Sequence, residues 1–210
     1  MTEERDVRVQ RLHTLRERGV NPYPNSVART HTIAEALQHF EVWQGEEHTL
    51  TLVGRLRLMR DMGKAAFAHL EDGSGRIQLY FRVNDIGEDA FKMLKLLDIG
   101  DFIQVSGFLF ATRTQERTLH VRELRLLSKS LRPLPEKFHG LEDVETRQRK
   151  RYLDLLANAD TTRAVFVTRS RTITAMRRYL DEHAFIEVET PILQPLYGGA
   201  TARPFVTHHN

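Results

Sequence analysis

Cysteine is absent from all 210 residues, which excludes disulfides, thiolate-ligated zinc and thiol nucleophiles. No apolar run approaches the roughly 20 residues of a membrane-spanning helix, and the N-terminus is charged rather than signal-like, so a cytoplasmic protein with no membrane partner is expected. Net charge is small: 31 Lys+Arg against 28 Asp+Glu give +3, a weak pointer to an anionic partner. There is no internal repeat, low-complexity tract or glycine-rich phosphate loop, and no pair of carboxylates with helical support. No metal ligands are expected, since His69 has no companions at ligand spacing.

Local order is richer. Residues 3–18 read as a surface helix, with Glu3 and Glu4 in its first turn, Gly19 as a stop and a thin stripe of Val7, Val9, Leu12 and Leu15. Asn21-Pro22-Tyr23-Pro24 forces irregular backbone, and Thr32 with Glu35 has the spacing of a capping box for a helix near 33–40. In 49–60, Leu50, Leu52, Leu56 and Leu58 alternate with Thr51, Arg55 and Arg57, and Gly54 reads as a kink or bulge. Ala65–Glu71 and Arg76–Phe81 flank the hairpin turn Asp72-Gly73-Ser74-Gly75. Phe91, Leu94 and Leu97 share a helical face within 88–97, and two more strands run Phe102–Thr112 and Thr118–Leu127. A helix between the third and fourth of five strands predicts an all-β OB-fold barrel, a fold that commonly binds oligonucleotides on its second and third strands.

Arg132-Pro133-Leu134-Pro135 reads as a stiff linker. Beyond it a helix is expected over 142–156, acids first and bases last, then a longer one over 162–183 with Phe166, Ile173, Met176 and Leu180 on one face. A short strand, Ile186–Glu189, precedes Thr190-Pro191. The expected division is an N-terminal helical extension over 1–45, the barrel over 46–130, a linker and helix over 131–160, and the opening of an α+β domain over 161–210.

Parity places Ala66, Ala68, Leu70, Ile77, Leu79 and Phe81 inward, leaving Phe67, His69, Gln78 and Tyr80 outward. A hairpin symmetric about Gly73-Ser74 sets Phe67 opposite Tyr80 and His69 opposite Gln78. An outward ring beside a carboxamide suits single-stranded RNA: the ring stacks on an unpaired base and the amide reads its edge. Arg55, Arg57 and Arg60 on the preceding strand supply candidate phosphate contacts. The barrel residues alone equally allow Phe67 and Tyr80 to be a cross-strand pair under a covering helix.

A set of strings carries a resemblance. Met62-Gly63-Lys64-Ala65, Gly75-Arg76-Ile77-Gln78-Leu79-Tyr80 and Arg132-Pro133-Leu134-Pro135 are followed by Lys137-Phe138-His139-Gly140-Leu141 and Arg151-Tyr152-Leu153-Asp154-Leu155. Phe185-Ile186-Glu187-Val188-Glu189-Thr190-Pro191, Gly198-Gly199-Ala200 and Arg203-Pro204-Phe205-Val206-Thr207-His208-His209-Asn210 complete it. In these strings, and from about residue 10 to the end, the chain resembles the amino-terminal portion of class II lysyl-tRNA synthetases. The aspartyl and asparaginyl types share the barrel, Arg-Tyr-Leu-Asp-Leu and Glu-Thr-Pro; the His-Gly-Leu and Gly-Gly-Ala to His-His-Asn stretches look lysine-type.

The resemblance implies a lysine–tRNA ligase that joins lysine to its tRNA through lysyl-adenylate, using ATP and Mg2+, as a homodimer. It implies anticodon binding at Arg60, Phe67, Gln78 and Glu123, and the outward parity adds His69 and Tyr80 as candidates for a further RNA contact. It implies motif 1, the dimer interface, over the 162–183 helix and Ile186–Pro191, represented by Met176, Leu180 and Pro191, and a lysine-pocket loop at Gly198, Gly199 and Ala200. The plainer readings are an amphipathic helix ending in a turn and an ordinary glycine turn. The ATP-clamping arginines and acidic metal ligands of such enzymes sit in two later motifs not found here, so catalytic residues are expected outside this segment and the 210-residue chain alone is expected to be inactive. The alternative is a free-standing OB-fold nucleic-acid-binding module without ligase activity; residues 136–210 argue against it, because a simple RNA binder needs no dimerisation motif.

Overall fold

The computed structural model describes residues 2–134, 140–192 and 205–208, so Gly198, Gly199 and Ala200 lie outside the described residues, as does the Pro135–His139 string. The chain divides into two compact units, Met1–Lys137 and Phe138–Asn210.

The first unit opens with α1 (Thr2–Glu17). Leu12 and Leu15 are buried as the apolar stripe predicts, but Val7 is exposed and the remaining anchor is Arg8, only 5% exposed. Its guanidinium pairs with Glu4 at 2.9 Å and donates to the carbonyls of Ile99 at 3.0 Å, Ser130 at 3.3 Å and Arg132 at 3.4 Å. Helix α2 (Ile33–Gln38) carries the expected capping box: Thr32 Oγ1 accepts from the Glu35 N–H, and Glu35 Oε2 accepts from the Thr32 N–H. Helix α3 (Phe40–Trp43) follows and buries Phe40.

Strands β1 (Leu50–Asp61), β2 (Ala65–Glu71) and β3 (Arg76–Arg82) come next, then the short helices α4 (Val83–Ile86) and α5 (Glu88–Leu94), then β4 (Phe102–Ala111) and β5 (Arg117–Ser128). The strands close in the order β1-β2-β3-β5-β4. Closure gives each strand two neighbours, the closing β3–β5 contact running over Gln78–Tyr80. Leu52, Leu56, Leu70, Ile77, Leu79 and Phe81 are at most 2% exposed inside it; each such side chain contributes about 1.5–3 kcal/mol. Helix α5 ends earlier than its periodicity suggests, yet Phe91, Leu94 and Leu97 are all buried.

The β2–β3 hairpin has the expected register, Phe67 opposite Tyr80 and His69 opposite Gln78. Asp72 Oδ1 accepts from the N–H groups of Ser74 at 2.6 Å and Gly75 at 2.9 Å, holding the turn, while its Oδ2 accepts from Ile33 N–H at 3.0 Å, tying the turn to α2. Burial alone would raise the pKa of Asp72, but these bonds and one from the Ser74 hydroxyl hold it below the ordinary carboxylate value.

Strand β1 departs from the sequence reading. Gly54 stays in register opposite Ile103 and is not the bulge; the register slips between Leu56 and Leu58, leaving Arg57 as the extra residue. Glycine is needed at 54 for clearance, because a Cβ there would stand 2.6 Å from the Glu71 carbonyl oxygen. Beyond the bulge the inward parity changes: Met59 pairs with buried Ala68 and packs on the core, whereas Leu58 pairs with His69 on the outer face. Leu58 therefore does not continue the inward row of Leu52 and Leu56.

An ionic cluster joins α1, the segment between α5 and β4, and the residue after β5. Lys129 Nζ, with its side chain fully buried, contacts Asp98 and bonds Asp101 Oδ2 at 2.8 Å, and Arg11 of α1 pairs with Asp98. Burial raises the pKa of Asp101, and the attraction of Lys129 only partly offsets it.

In the second unit the expected 142–156 helix is two helices, α6 (Val144–Arg149) and α7 (Arg151–Ala157), separated at Lys150 with φ −116° and ψ 55°. The break lets Arg147 and Arg151 converge on buried Asp154, at 2.8 Å and 2.5 Å. In a continuous helix, residues 147 and 154 would stand roughly 10 Å apart along the axis. A π turn, Ala159–Arg163, leads into α8 (Ala164–Glu182). Ile186–Glu189 forms no strand: Ile186 and Val188 are exposed at 86% and 71%, and no partner strand stands beside them among the described residues. Isolated extended backbone has no ladder to join. No helix of the described residues is long and apolar enough to cross a membrane.

Candidate nucleic-acid interface

The bulge at Arg57 sends Arg60 to the outer face, directly opposite Phe67 in the β1–β2 ladder. Arg60, Phe67, His69 and Gln78 then line one cavity of about 510 Å3. The last residue of β1, Asp61, and Met62 after it also line it, and the β4–β5 turn contributes Thr112, Thr114 and Glu116. The second and third strands of the fold thus form the floor, and two loops form the walls.

The three strand arginines separate in space. Arg55 donates to the Gly100 carbonyl at 2.9 Å and lies 4.3 Å over the Phe102 ring, and Arg57 sits 3.5 Å from Glu71. Both are occupied within the fold. Arg60 is exposed and has no ion-pair or hydrogen-bond partner among the described residues. One unengaged guanidinium at a cavity rim suits a phosphate or a base edge.

Phe67 is half-buried and rests on Tyr80, ring centroids 5.0 Å apart at 39°. Tyr80 does not line the cavity. It belongs to an aromatic cluster with Phe110 at 5.9 Å and His120 at 5.1 Å, and His120 Nε2 is 2.8 Å from Asp85 of α4. Phe67 thus forms the expected cross-strand pair with Tyr80 and lines the cavity as well.

Gln78 accepts a 2.8 Å hydrogen bond from the buried Thr118 hydroxyl. His69 Nε2 lies 3.6 Å from Glu116 Oε1 across the cavity. The carboxylate brought to this site is Glu116. Glu123 is exposed on β5 opposite Ser106 and does not line the cavity. A signal for Glu116 was present in the fold itself, because the loop between the fourth and fifth strands of an OB barrel commonly borders its ligand.

In the second unit, Met176 and Leu180 are exposed on α8 at 60% and 44%, with Phe166 and Ile173 on the same helix at 41% and 40%. Arg177 bonds Glu187 at 3.0 Å, holding the segment that leads to Pro191 against the helix. No group of three or more His, Asp or Glu residues among the described residues is arranged to hold a metal ion.

The chain is similar to known proteins along nearly its whole length. Residues 50–127 match the family described as OB-fold nucleic acid binding domain, and residues 143–210 match tRNA synthetases class II (D, K and N). A lysine–tRNA ligase from Chloroflexus aurantiacus is 53% identical over 205 residues, 97% of this chain and 42% of that protein. Lysine–tRNA ligases from Carboxydothermus hydrogenoformans and Dehalococcoides mccartyi are 49% and 50% identical, over 97% and 96% of this chain and 41% of each relative. The chain spans about two fifths of the length of the curated relatives it matches.

Proposed function

This chain belongs to the class II lysyl-tRNA synthetase family as an amino-terminal portion of it, and from that membership we propose that its barrel grips the anticodon of lysine tRNA for a lysine–tRNA ligase. The carrying observation is the convergence of Arg60, Phe67 and Gln78 on one cavity. Phe67 stacks on an unpaired anticodon base, Gln78 meets its Watson–Crick edge, and Arg60 takes a phosphate or base oxygen. We assign the acidic contact to Glu116 in place of Glu123, with His69 beside it. Tyr80 acts as the cross-strand partner of Phe67.

For the whole ligase we propose lysine activation with ATP and Mg2+ to lysyl-adenylate, then transfer to the tRNA. When bound, ATP would supply the adenylyl group that activates the lysine carboxylate, with pyrophosphate as the leaving group. The described residues of this chain do not form a metal site, and no chemical step is assigned to them. Their part is to bind and orient tRNA. We further propose that α8 with Met176, Leu180 and Pro191 is the homodimer face, that Gly198, Gly199 and Ala200 border the lysine pocket, and that the protein works in the cytoplasm. A barrel-only module is not favoured, because residues 143–210 match the synthetase family.

Filter binding of the chain to the lysine anticodon stem-loop and to a stem-loop with an unrelated anticodon tests the anticodon assignment. Preferential, salt-sensitive binding of the lysine loop is expected. Equal affinity for both loops overturns it.

A further inference from the structure

We infer that Thr118 is a positioning residue that decides which edge of the Gln78 carboxamide meets a bound base; the inference rests on the anticodon reading above and deepens it. Gln78 and Thr118 are partners in the parallel β3–β5 pairing. Thr118 is 0% exposed, and its hydroxyl oxygen lies 2.8 Å from Gln78 Oε1 and 3.0 Å from the Glu116 carbonyl oxygen. The hydroxyl has one proton: it donates to Gln78 Oε1 in the shorter contact, and the Glu116 carbonyl oxygen lies within reach of the same proton. One buried hydroxyl therefore links the cavity floor, at Gln78, to the loop wall that carries Glu116.

The chemical consequence is an amide with a fixed sense. A carboxamide free to turn over offers either its N–H donors or its oxygen and tolerates either kind of base edge. With Oε1 held by Thr118, Gln78 offers the Nε2 donors to the cavity that it shares with Arg60 and Phe67. Uracil presents a carbonyl oxygen at C4, whereas cytosine presents an amino donor there. A donor-only amide pairs with the first and leaves two donors facing each other with the second. Leaving such groups unpaired is how a polar site rejects an analogue of nearly equal shape. Thr118 thus turns a promiscuous amide into a reader of pyrimidine carbonyls without touching the RNA.

The test measures binding of the full 210-residue chain to the lysine anticodon stem-loop and to versions in which single anticodon uridines are replaced by cytidine. Wild type is expected to bind at least one cytidine version more weakly. Thr118→Val, which keeps the shape and removes the hydroxyl, is expected to shrink that ratio by about 3- to 10-fold, the range of one hydrogen bond. Thr118→Ser, which restores the hydroxyl, is expected to restore the ratio. A merely structural role would change overall affinity and leave the ratio alone. Wild type without any uridine preference overturns the anticodon reading itself. Wild-type preference with an unchanged ratio in Thr118→Val overturns only the role of Thr118. Should Thr118→Val fail to fold by circular dichroism, NMR of the wild-type chain decides. Gln78 Nε2 protons near the Phe67 ring, shifting on addition of the uridine loop, support the inference; the same protons facing the Thr118 methyl group overturn it.

Discussion

Arg60 stands across the β1–β2 ladder from Phe67, and it does so because Arg57, three residues earlier on β1, is bulged out of the pairing. With unbroken alternation from Leu56, residue 60 would point into the barrel opposite Ala66, the partner of Phe81. One inserted residue moves a cation from the core side to the ligand side. Arg60→Ala is therefore expected to weaken stem-loop binding and to reduce the salt slope of log Kd by about one, as for loss of a single phosphate contact. A binding titration over several salt concentrations measures both; an unchanged slope with weaker binding would assign Arg60 to the base instead.

Phe67→Ala removes the stacking surface while Tyr80 retains Phe110 and His120 as neighbours. Binding is expected to weaken by about 10- to 100-fold, the range of one base–aromatic stack. Far-ultraviolet circular dichroism should be unchanged, and Phe67→Trp should retain binding. Loss of binding in both variants with intact folding would point to shape rather than stacking.

The two candidate carboxylates separate cleanly by substitution. Glu116 borders the cavity, 3.6 Å from His69, and Glu123 does not line it. Glu116→Gln should change stem-loop affinity by about 3-fold or more, and Glu123→Gln by less than about 2-fold. The reverse ranking would return the acidic contact to β5.

Of the described glycines, Gly107 leaves the least room for a side chain. A Cβ there would meet the His120 carbonyl oxygen at 1.9 Å. Gly107→Ala is expected to cost about 3 kcal/mol or more, since both sides of the clash are strand backbone and neither yields. Chemical denaturation of the variant beside wild type reports it, and a loss below about 1 kcal/mol would mean that the β4–β5 pairing relaxes freely.

Asp154 ties α6 to α7 through its arginine partners. Burial alone would raise its pKa, but hydrogen bonds from Arg147, Asn158 and Arg151 outweigh that and lower it from 3.8 to about 2. A carboxylate lowered in the folded state contributes stability that is present above 3.8 and is lost as pH falls toward about 2. Amide-exchange protection in α6 and α7 should thus hold at neutral and mildly acidic pH and fall within that window. Asp154→Asn should have lower protection at neutral pH and lack the acid-dependent drop.

The barrel's five strands and its central hairpin were legible in the amino acids because their causes are local. Alternation of period two sorted Ala66, Ala68, Leu70, Ile77, Leu79 and Phe81 from Phe67, His69, Gln78 and Tyr80, and the Asp72 turn set the register. The capping box of α2 was readable for the same reason: Thr32 and Glu35 meet within one turn. The motif strings pointed to the family.

What the tertiary structure decided are the relations that depend on closing the cylinder. The bulge at Arg57 had no local mark, because apolar residues occupy both faces of β1 at Leu58 and Met59 and either parity looked sound. Glu116 reaches the cavity through the fold of the β4–β5 turn, and Thr118 meets Gln78 only where strands 40 residues apart run side by side. Arg8 is buried by carbonyls supplied from Ile99, Ser130 and Arg132. A linear pattern records which side chains prefer water; it does not record which distant backbone will come to replace that water, and here that replacement shaped the site.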